Sequence, residues 1–400
     1  MKKIIFITTR NIINTSGELR LIKNRGQALF NTFGVETYYF SLSPIKRKDR
    51  PKESLGDGSK LHAFYFKSYW GLKKQTKRVI REITKEISDE DIIIISGYMP
   101  RYLIQNIKKL RVKTILDIHG TLEELKEYVS DTCFSKLKNY IRYTIFSNSE
   151  KEILVFAKGV LVVSKALKER YAAKYSIDSN LIYVIPCGGN KEKIDLEEVQ
   201  KHRLFWREEL NIADEEILFI YSGGISPWQS IDEMIQLYIE IKGNICRKCK
   251  LLIMSGDIHT IKKYESREQD IIIRSFTAEQ VQHILCAGDI AMLLRNNTVT
   301  NNLAFPNKFY EYLLSGMYII CSKFIYDQAA LTDKYGVGFT TNGKLDSDII
   351  TAIENMEPIE SRKGNIDLLL QELSFKNTLQ TFVKKQMGWN DEKSIFNSGR

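Results

Sequence analysis

The chain has 400 residues, of which 43% are apolar and 27% charged, and its mean hydropathy is −0.25. This composition excludes a disordered chain or a fibrous repeat, and the length suits two or three domains. No apolar run approaches the roughly 18 residues of a spanning helix, and residues 3–8 are too short for a signal peptide, so they predict a first buried strand. Six scattered cysteines predict reduced thiols, and the Cys246–Cys249 pair lacks the further ligands of a metal site.

The charge is distributed unevenly along the chain. The formal net charge is +10, but residues 1–185 hold 34 Lys and Arg against 19 Asp and Glu, whereas residues 186–400 hold 25 against 30. The first half is therefore expected to face an anionic partner, such as a membrane surface, a phosphorylated substrate or nucleic acid. Because the aromatic residues are not interleaved with the basic ones, nucleic acid is not expected.

Short β-branched runs alternate with amphipathic stretches along the whole chain. Strands are predicted near residues 3–8, 36–42, 62–66, 92–96, 114–118, 160–163 and 182–185, and again near 217–222, 250–255, 271–274, 289–294, 318–322 and 337–340. Runs such as Ile92–Ile95 are apolar on both faces, as in strands that helices cover on each side. Between strands, apolar residues of the segment 19–33 step by three and four. The sequence predicts an α/β protein with two doubly wound, Rossmann-like parallel sheets that face each other across a cleft.

Four segments are predicted from this pattern. They are an N-terminal domain at 1–186, a linker at 187–210, a C-terminal domain at 211–372 and a C-terminal helix at 373–400 that packs back on the N-terminal domain. The Pro-Cys-Gly-Gly passage from Pro186 is the expected hinge.

In the first half, three segments carry candidate functions. A helix is predicted to start near Thr15–Glu18, and His119 follows a strand, where it is either a cleft residue or an ordinary polar residue. Residues 67–88 form an amphipathic helix that is either a membrane-surface helix or a crossover helix with a solvated face. Its basic face carries Lys73, Lys74, Lys77, Arg78, Arg81 and Lys85, with Tyr69 and Trp70 before it. Residues 46–52 are interpreted as an exposed basic loop.

In the second half, a strand ending at Leu294 is followed by an Asn-rich loop and by Pro306. Proline is favoured at the first position of a helix, so Pro306 is predicted to open one. The N–H groups of Asn307 and Lys308 would then face outward at the positive end of the helix dipole, beside the Lys308 ammonium. Arg295 can reach the same place with a guanidinium suited to phosphate oxygens. This segment predicts an anion site.

Glu311 lies in a helix that is otherwise apolar almost all round. A buried carboxylate needs hydrogen-bond donors, and the hydroxyls of a ribose or another sugar would supply them. Lys308, three residues earlier, could instead neutralise Glu311 in a structural ion pair. The sequence leaves both interpretations open.

These residues resemble the donor-site signature of bacterial GT-B glycosyltransferases of the glycosyltransferase-4 type, closest to those that build capsule, O-antigen and other surface polysaccharides. The matching motifs are Leu294-Arg295 with Asn301, Ala304–Leu313 and Gly316, supported by Val162-Val163-Ser164 with Leu167, Ile185-Pro186, Tyr221–Gly224, and Asp117–Gly120 with Glu123 and Glu124. They occur in the family's order over most of the chain. The resemblance implies a GT-B fold, a nucleotide-diphosphate-sugar donor and transfer with retention of configuration.

The resemblance also implies roles for individual residues. The implied catalytic residues are Glu311, Arg295, Lys308 and His119; the donor-binding residues are Gly223, Gly224, Asn301, Asn307, Lys308 and Glu311; and the acceptor-side residues are Gly17, His119 and Glu124. The chain departs from the family at Leu303, where many members carry an acidic residue, and at Gly224 and Gln229, where many carry arginine and lysine. Arg295 and Lys308 are therefore expected to take over the diphosphate charge, with no metal and no cofactor.

The leading prediction is a glycosyltransferase that acts on a glycan or on a polyprenyl-diphosphate-linked acceptor in bacterial surface polysaccharide synthesis. The predicted location is the cytoplasm, with peripheral contact to the anionic inner leaflet of the membrane. Two alternatives remain: another GT-B enzyme such as a nucleotide-sugar epimerase, and a non-catalytic nucleotide-sugar-binding partner of a polysaccharide assembly complex.

Overall fold

A computed structural model of the chain describes residues 2–11, 17–44, 50–54, 59–129, 132–265 and 269–389. The chain divides into two compact units. Unit 1 comprises the chain up to Asn190 together with the segment from Phe375 onwards, and unit 2 comprises Lys191–Ser374. Each unit has a parallel β-sheet with helices between its strands, which confirms the predicted fold class.

The sheet of unit 1 has eight strands in the order β3-β4-β2-β1-β5-β6-β7-β8. The strands are β1 (Lys3–Thr8), β2 (Glu36–Ser43), β3 (Arg50–Ser54), β4 (Lys60–Tyr65), β5 (Ile92–Ser96), β6 (Lys113–Ile118), β7 (Val160–Val162) and β8 (Ile182–Val184). All neighbouring pairs are parallel except β3 and β4. Every residue of β5 is buried, as the unbroken apolar run predicts.

Strand β3 corrects one prediction. Residues 46–52 were expected to form an exposed loop, but Arg50–Ser54 pair with β4 as an antiparallel edge strand. Residues 45–49 lie outside the described part of the chain. Charged residues and proline are typical of edge strands, since they discourage pairing with other chains. The composition that suggests a loop is therefore also that of a protected edge.

Among the described residues of unit 1, seven segments are α-helical. They are α1 (Gly17–Phe33), α2 (Tyr69–Glu86), α3 (Arg101–Lys109), α4 (Glu124–Glu127), α5 (Cys133–Leu154), α6 (Lys165–Tyr175) and α15 (Phe375–Met387). The side chains of Ser68, Thr132 and Ser164 cap the first turns of α2, α5 and α6 by accepting a backbone N–H. Leu19, Ile22, Leu29 and Phe33 of α1 are buried, which confirms the predicted periodicity.

Helix α2 packs its apolar side inside unit 1. Leu72, Val79 and Ile83 are buried, while Lys74, Lys77 and other basic residues remain exposed. The apolar face is therefore unavailable to a bilayer, and α2 has the geometry of a crossover helix with a solvated basic face. The apolar side of α2 therefore cannot serve the predicted membrane-surface role, because it is buried inside unit 1.

Unit 2 has six parallel strands in the order β11-β10-β9-β12-β13-β14. The strands are β9 (Ile217–Ser222), β10 (Cys249–Met254), β11 (Ile271–Arg274), β12 (Ile290–Leu293), β13 (Tyr318–Ser322) and β14 (Gly338–Thr341). The helices are α7 (Leu196–Glu209), α8 (Ile231–Lys242), α9 (Ala278–Leu285), α10 (Val299–Leu303), α11 (Lys308–Leu314), α12 (Tyr326–Tyr335), α13 (Ser347–Glu354) and α14 (Ile359–Leu373). One continuous cluster of buried side chains joins the sheet to α8 and α13.

Helix α7 corrects the predicted linker at 187–210. The division between units falls between Asn190 and Lys191, and α7 belongs to unit 2. The reason is a buried charge network: Arg203 and Arg207 both pair with Asp289, at 2.6 and 3.1 Å, and Arg207 is only 2% exposed. Asp289 also accepts the backbone N–H of Leu218, which ties α7 to the start of β9.

Helix α15 belongs to unit 1, although more than 180 residues of unit 2 precede it. It contacts α1 and β8, and the ring of Phe382 meets that of Tyr183 edge-on with centroids 5.5 Å apart. Among the residues described, no helix combines the length and the apolar character needed to cross a membrane.

Candidate active site

In unit 2, β9 and β12 lie side by side where the strand order reverses. Open parallel sheets bind ligands at the carboxyl ends of the strands at such a switch point. Gly223 follows β9 directly, and Arg295 lies two residues beyond β12. Lys308, the first residue of α11, reaches the same place with its side chain. The structure therefore brings together three of the residues that the sequence singles out.

The Lys308 ammonium is enclosed by the residues that follow β9. Its Nζ lies 2.7 Å from the Tyr221 hydroxyl oxygen, 2.8 Å from Gln229 Oε1 and 4.0 Å from the centroid of the Tyr221 ring. Burial, and secondly the charge of Arg295, lower the pKa of Lys308 well below its ordinary value, while Glu311 acts in the opposite direction. An anionic ligand would offset both effects, so its binding would stabilise the charged form of Lys308.

Gly223 makes room for this lysine. Its φ is +137°, and a Cβ added there would lie 2.5 Å from Lys308 Cε and 2.7 Å from Nζ. At Gly224 a Cβ would meet no atom within 4 Å, and the carbonyl oxygen accepts the Tyr221 hydroxyl at 2.5 Å. The space above Gly223 is thus used by Lys308 itself. The roles predicted for both glycines in donor binding stay predictions.

Arg295 is only 6% exposed. Its Nη1 donates to the carbonyl oxygen of Leu294 at 2.7 Å and lies 3.5 Å from that of Gln229. These contacts hold the guanidinium beside the loop after β9. Because a guanidinium carries five N–H donors in a fixed plane, Arg295 can contact an anion while it keeps these contacts.

The start of α11 differs from the prediction. Pro306 was expected to open the helix, but α11 begins at Lys308 with Asn307 as its N-cap residue, and it is seven residues long. The positive charge at this site therefore comes from the Arg295 and Lys308 side chains more than from an extended helix. The donor-binding role of Asn307 stays a prediction.

Glu311 occupies the polar side of α11. Phe309, Tyr310, Tyr312 and Leu313 are all buried, as predicted, but Glu311 itself is only partly buried. The carboxylate is therefore less buried than expected, because it lies on the side of α11 that is not packed into the core. Glu311 raises the pKa of Lys308, so the two groups are close enough to interact. The ligand role and the structural role of Glu311 both stay predictions.

Asn301 holds the loop that follows β12. It is 1% exposed, and its Nδ2 donates to the carbonyl oxygen of Asn296 at 3.0 Å. Thr298 caps α10 by accepting the N–H of Asn301. Leu303, which replaces the acidic residue of many family members, is 8% exposed. Asn301 thus shapes the loop that carries Arg295, and a direct contact between Asn301 and a donor stays a prediction.

In unit 1, His119 belongs to a buried charge cluster at the end of β6. Its Nε2 lies 2.7 Å from Asp117 Oδ2, and Arg25 Nη1 lies 2.8 Å from Asp117 Oδ1. Arg25 also donates to the carbonyl oxygen of Ile185. Burial acts to raise the pKa of Asp117, but the charges of His119 and Arg25 outweigh it and lower that pKa to about 2. Asp117 therefore orients the His119 ring.

The other two residues predicted for the acceptor side, Gly17 and Glu124, are not part of the cluster around Asp117. Gly17 is the first residue of α1, and residues 12–16 of its loop lie outside the described residues. Glu124 is exposed at the first position of α4. Its neighbour Glu123 is the more firmly held carboxylate, since Thr121 donates to it and Arg170 pairs with it at 3.1 Å.

Sequence reasoning assigned no role in these two groups to four of their residues. They are Arg25, Asp117, Tyr221 and Gln229. A signal for the first two was present: Ile22, Arg25 and Leu29 are spaced by three and four residues, which puts Arg25 on the apolar face of α1. Asp117 interrupts an apolar strand. Two opposite charges inside apolar elements predict a buried pair. Tyr221 belongs to one of the motifs that resemble the family, and Gln229 stands where many members carry lysine, but only the fold brings the two side chains to Lys308.

One group of metal-type ligands occurs in the described part of the chain: Glu198, His202 and His283, whose ligand atoms lie within 4.8 Å of one another. The two imidazole rings stack in parallel with centroids 4.0 Å apart and an interplanar angle of 7°, so their lone pairs do not converge. Glu198 also pairs with Lys191 at 3.2 Å. The expectation that the reaction uses no metal stays a prediction.

Comparison with known proteins bears on the fold and on part of the chain. Residues 32–193 match the model of the family described as Glycosyltransferase Family 4. No curated protein matches the sequence.

Solved structures match over nearly the whole chain. An E. coli structure described as trehalose-6-phosphate bound with UDP-2-fluoro glucose has a TM-score of 0.65 at 12% identity and covers 96% of this chain and 99% of its own. A glycosyltransferase from Rickettsia africae ESF-5 has a TM-score of 0.59 at 15% identity, with 99% and 98% covered. The apo form of the lipopolysaccharide outer core galactosyltransferase WaaB has a TM-score of 0.63 at 14% identity, with 96% and 99% covered. At these identities the matches show the fold.

Proposed function

We propose that the protein is a glycosyltransferase that transfers a sugar from a nucleotide diphosphate to a glycan acceptor. The match of residues 32–193 to the model of Glycosyltransferase Family 4 and the fold shared with solved glycosyltransferases support this proposal. We further infer that the acceptor is lipid-linked and that the product is a bacterial surface polysaccharide. The resemblance of the donor-site motif and the galactosyltransferase among the similar folds support this inference.

One observation carries the donor assignment. Two basic side chains, Arg295 and Lys308, meet at the switch point of the unit 2 sheet, and the pKa of Lys308 is lowered by burial beside Arg295. Two positive groups that are held together in a protein and repel each other are typical of a site built for an anion. A diphosphate carries the charge that such a pair would neutralise. That one neighbouring fold is bound with UDP-2-fluoro glucose supports the same ligand class.

The proposed chemistry needs stabilisation of a leaving group. The bond between the anomeric carbon and the diphosphate oxygen breaks, and the diphosphate leaves with both electrons and one additional negative charge. Arg295 and Lys308 stabilise that charge as it develops, because they are fixed in position before the reaction. The acceptor oxygen forms the new bond to the anomeric carbon, and its proton passes to the diphosphate oxygen that leaves. The resemblance supports retention of the anomeric configuration.

Two further residues complete the proposal. Glu311 accepts hydrogen bonds from the donor's hydroxyl groups, one helical turn from Lys308. His119, held by Asp117, contacts sugar on the acceptor side. Asp117 acts as a positioning residue, since it touches His119 and Arg25 and fixes the imidazole ring.

A panel of nucleotide sugars tests the donor site by thermal stabilisation. We expect one donor to stabilise the wild type, and Arg295→Ala and Glu311→Ala to weaken its binding by about 10- to 100-fold, as the loss of a hydrogen bond to a charged group predicts. Arg274→Ala and Glu279→Ala are matched controls, because they remove exposed charges elsewhere in unit 2. Both controls should bind the donor like the wild type.

Equal stabilisation of the wild type and of both site variants would refute the site. Transfer to a lipid-linked acceptor by the wild type tests the reaction itself. Conversion of the nucleotide sugar without any acceptor would indicate an epimerase, and donor binding without transfer to any lipid-linked glycan would indicate a non-catalytic partner.

A further inference from the structure

Helix α5 presents its apolar side chains to solvent. Four of them form what we call the apolar stripe: Phe134, Leu137, Ile141 and Ile145, exposed by 78, 59, 48 and 57%. Their spacing of three, four and four residues puts them on one face of the helix. Tyr140, 63% exposed, borders this face.

The opposite face of α5 packs on unit 1. The ring of Phe146 stacks on that of Tyr98 with centroids 5.0 Å apart, and Lys126 Nζ lies 3.4 Å from the centroid of the Tyr143 ring. Ser149 and Glu150, in the last turns, are buried. A helix of a water-soluble domain normally turns its most apolar face inward, and over residues 134–145 α5 does the reverse. Packing within the domain therefore does not explain the apolar stripe.

The charged residues of α5 itself have one sign over residues 132–149. Lys136, Lys138 and Arg142 are exposed on α5, and no acidic residue occurs between residues 132 and 149. The surrounding half of the chain carries the large excess of Lys and Arg. Apolar side chains bordered by a tyrosine and by cations are typical of a helix that lies in the interface of an anionic membrane.

Neighbouring helices extend this basic and aromatic surface. Helix α3 contacts both α2 and α5. At the start of α2, Trp70 is 77% exposed, and Lys73 Nζ lies 5.4 Å from its ring and 5.8 Å from the ring of Tyr102 in α3. Helix α2 can thus supply an interfacial tryptophan and positive charge, whereas its own apolar side is buried.

We propose that α5 binds the surface of an anionic lipid bilayer, with its axis along the surface and the apolar stripe inserted among the lipid headgroups. A second copy of this chain is a poorer occupant, because a symmetric contact made by the stripe would bring the flanking residues Lys138 and Arg142 close to the same residues of the partner. The proposal does not depend on the donor site in unit 2.

Vesicle flotation of the full-length protein tests this proposal. We expect binding to vesicles of equal parts phosphatidylglycerol and phosphatidylcholine, much weaker binding to phosphatidylcholine alone, and weakening by salt. The double variant Ile141→Ser, Ile145→Ser should lower binding to the anionic vesicles by about tenfold or more, since each buried aliphatic side chain contributes on that scale. Lys138→Glu with Arg142→Glu should abolish the preference for the anionic lipid.

The double variant Leu204→Ser, Leu368→Ser is the matched control, because it removes leucines of unit 2 that are 56 and 55% exposed. It should bind vesicles like the wild type. Because all these side chains are exposed, the melting temperatures should stay close to that of the wild type. The proposal is overturned if the wild-type protein does not bind anionic vesicles. It is also overturned if the α5 variants bind these vesicles as strongly as the wild type does. A concentration-dependent dimer that is lost in the α5 variant would assign the stripe to a second copy instead.

Discussion

At the scale of single residues, the charged group in unit 1 and the charged group in unit 2 differ in how their buried charges are compensated. In unit 1, Asp117 is fully buried but stays ionised, because Arg25 and His119 lower its pKa to about 2. In unit 2, Lys308 is held beside Arg295, and burial lowers its pKa. The first group is balanced within the protein, which suits a structural and positioning role. The second group gains from an added anion, which suits a binding site.

Asp117→Asn should therefore destabilise the protein strongly. The variant leaves Arg25 buried without its carboxylate, at a cost of about 3–5 kcal/mol near neutral pH. Because the folded-state pKa of about 2 lies below the ordinary 3.8, this stabilisation is present above pH 3.8 and is lost as the pH falls towards 2. Urea unfolding across this range measures the effect.

The difference in unfolding free energy between wild type and Asp117→Asn should shrink as the pH falls from 4 to 2. Glu169→Gln, an exposed carboxylate in α6, serves as the control and should change stability by less than about 0.5 kcal/mol. A pH-independent difference would show that Asp117 is not ionised in the folded state.

Gly223 and Gly224 provide a second, matched pair of variants. Gly223→Ala forces a positive φ on alanine and pushes its Cβ against Lys308, so it should cost about 1–3 kcal/mol and weaken the binding of the nucleotide-sugar donor. Gly224→Ala meets no neighbouring atom and should be close to neutral. Thermal unfolding and calorimetric titration with the nucleotide sugar that stabilises the wild type measure both effects. Equal behaviour of the two variants would contradict the packing of Lys308 above Gly223.

At the scale of helices and strands, the pattern of apolar residues predicted most elements, and the exceptions share one cause. Strand β3, the start of α11 and the exposed face of α5 all depend on what the rest of the fold places beside them. In α5 the apolar residues have helical spacing, but spacing alone does not tell whether a face turns inward or outward. In α7 the charged composition suggests a linker. Arg203 and Arg207 nevertheless pair with Asp289, more than 80 residues away, and so join α7 to unit 2.

At the scale of the molecule, the chain enters unit 2 after Asn190 and returns to unit 1 at Phe375. Unit 2 is therefore one continuous segment, whereas unit 1 needs α15 to cover α1 and β8. Phe375, Leu379 and Phe382 of α15 are buried. Because of this connectivity, the two units should differ in their ability to fold as isolated fragments.

We expect a fragment of residues 191–374 to unfold cooperatively and to keep the binding of the nucleotide sugar that stabilises the wild type, because Gly223, Arg295, Lys308 and Glu311 all lie within it. A fragment of residues 1–190 should fail to fold stably, since it lacks the apolar surface that α15 buries. Circular dichroism and thermal melts compare them. The control is residues 1–190 joined to 375–400 by a flexible linker, which should regain cooperative unfolding. A stable 1–190 fragment would contradict the role of α15.

The sequence by itself determined the alternation of strands and helices, the two sheets and the motif around Arg295, Lys308 and Glu311. These follow from local properties of the chain: apolar periodicity, β-branched runs and a short motif that resembles one family. The tertiary structure decided that Lys308 lies against Tyr221 and Gln229, that Arg25 and His119 share Asp117, and that the apolar stripe of α5 faces solvent. Such contacts join residues far apart in the chain, and their energies depend on burial, which no local pattern records.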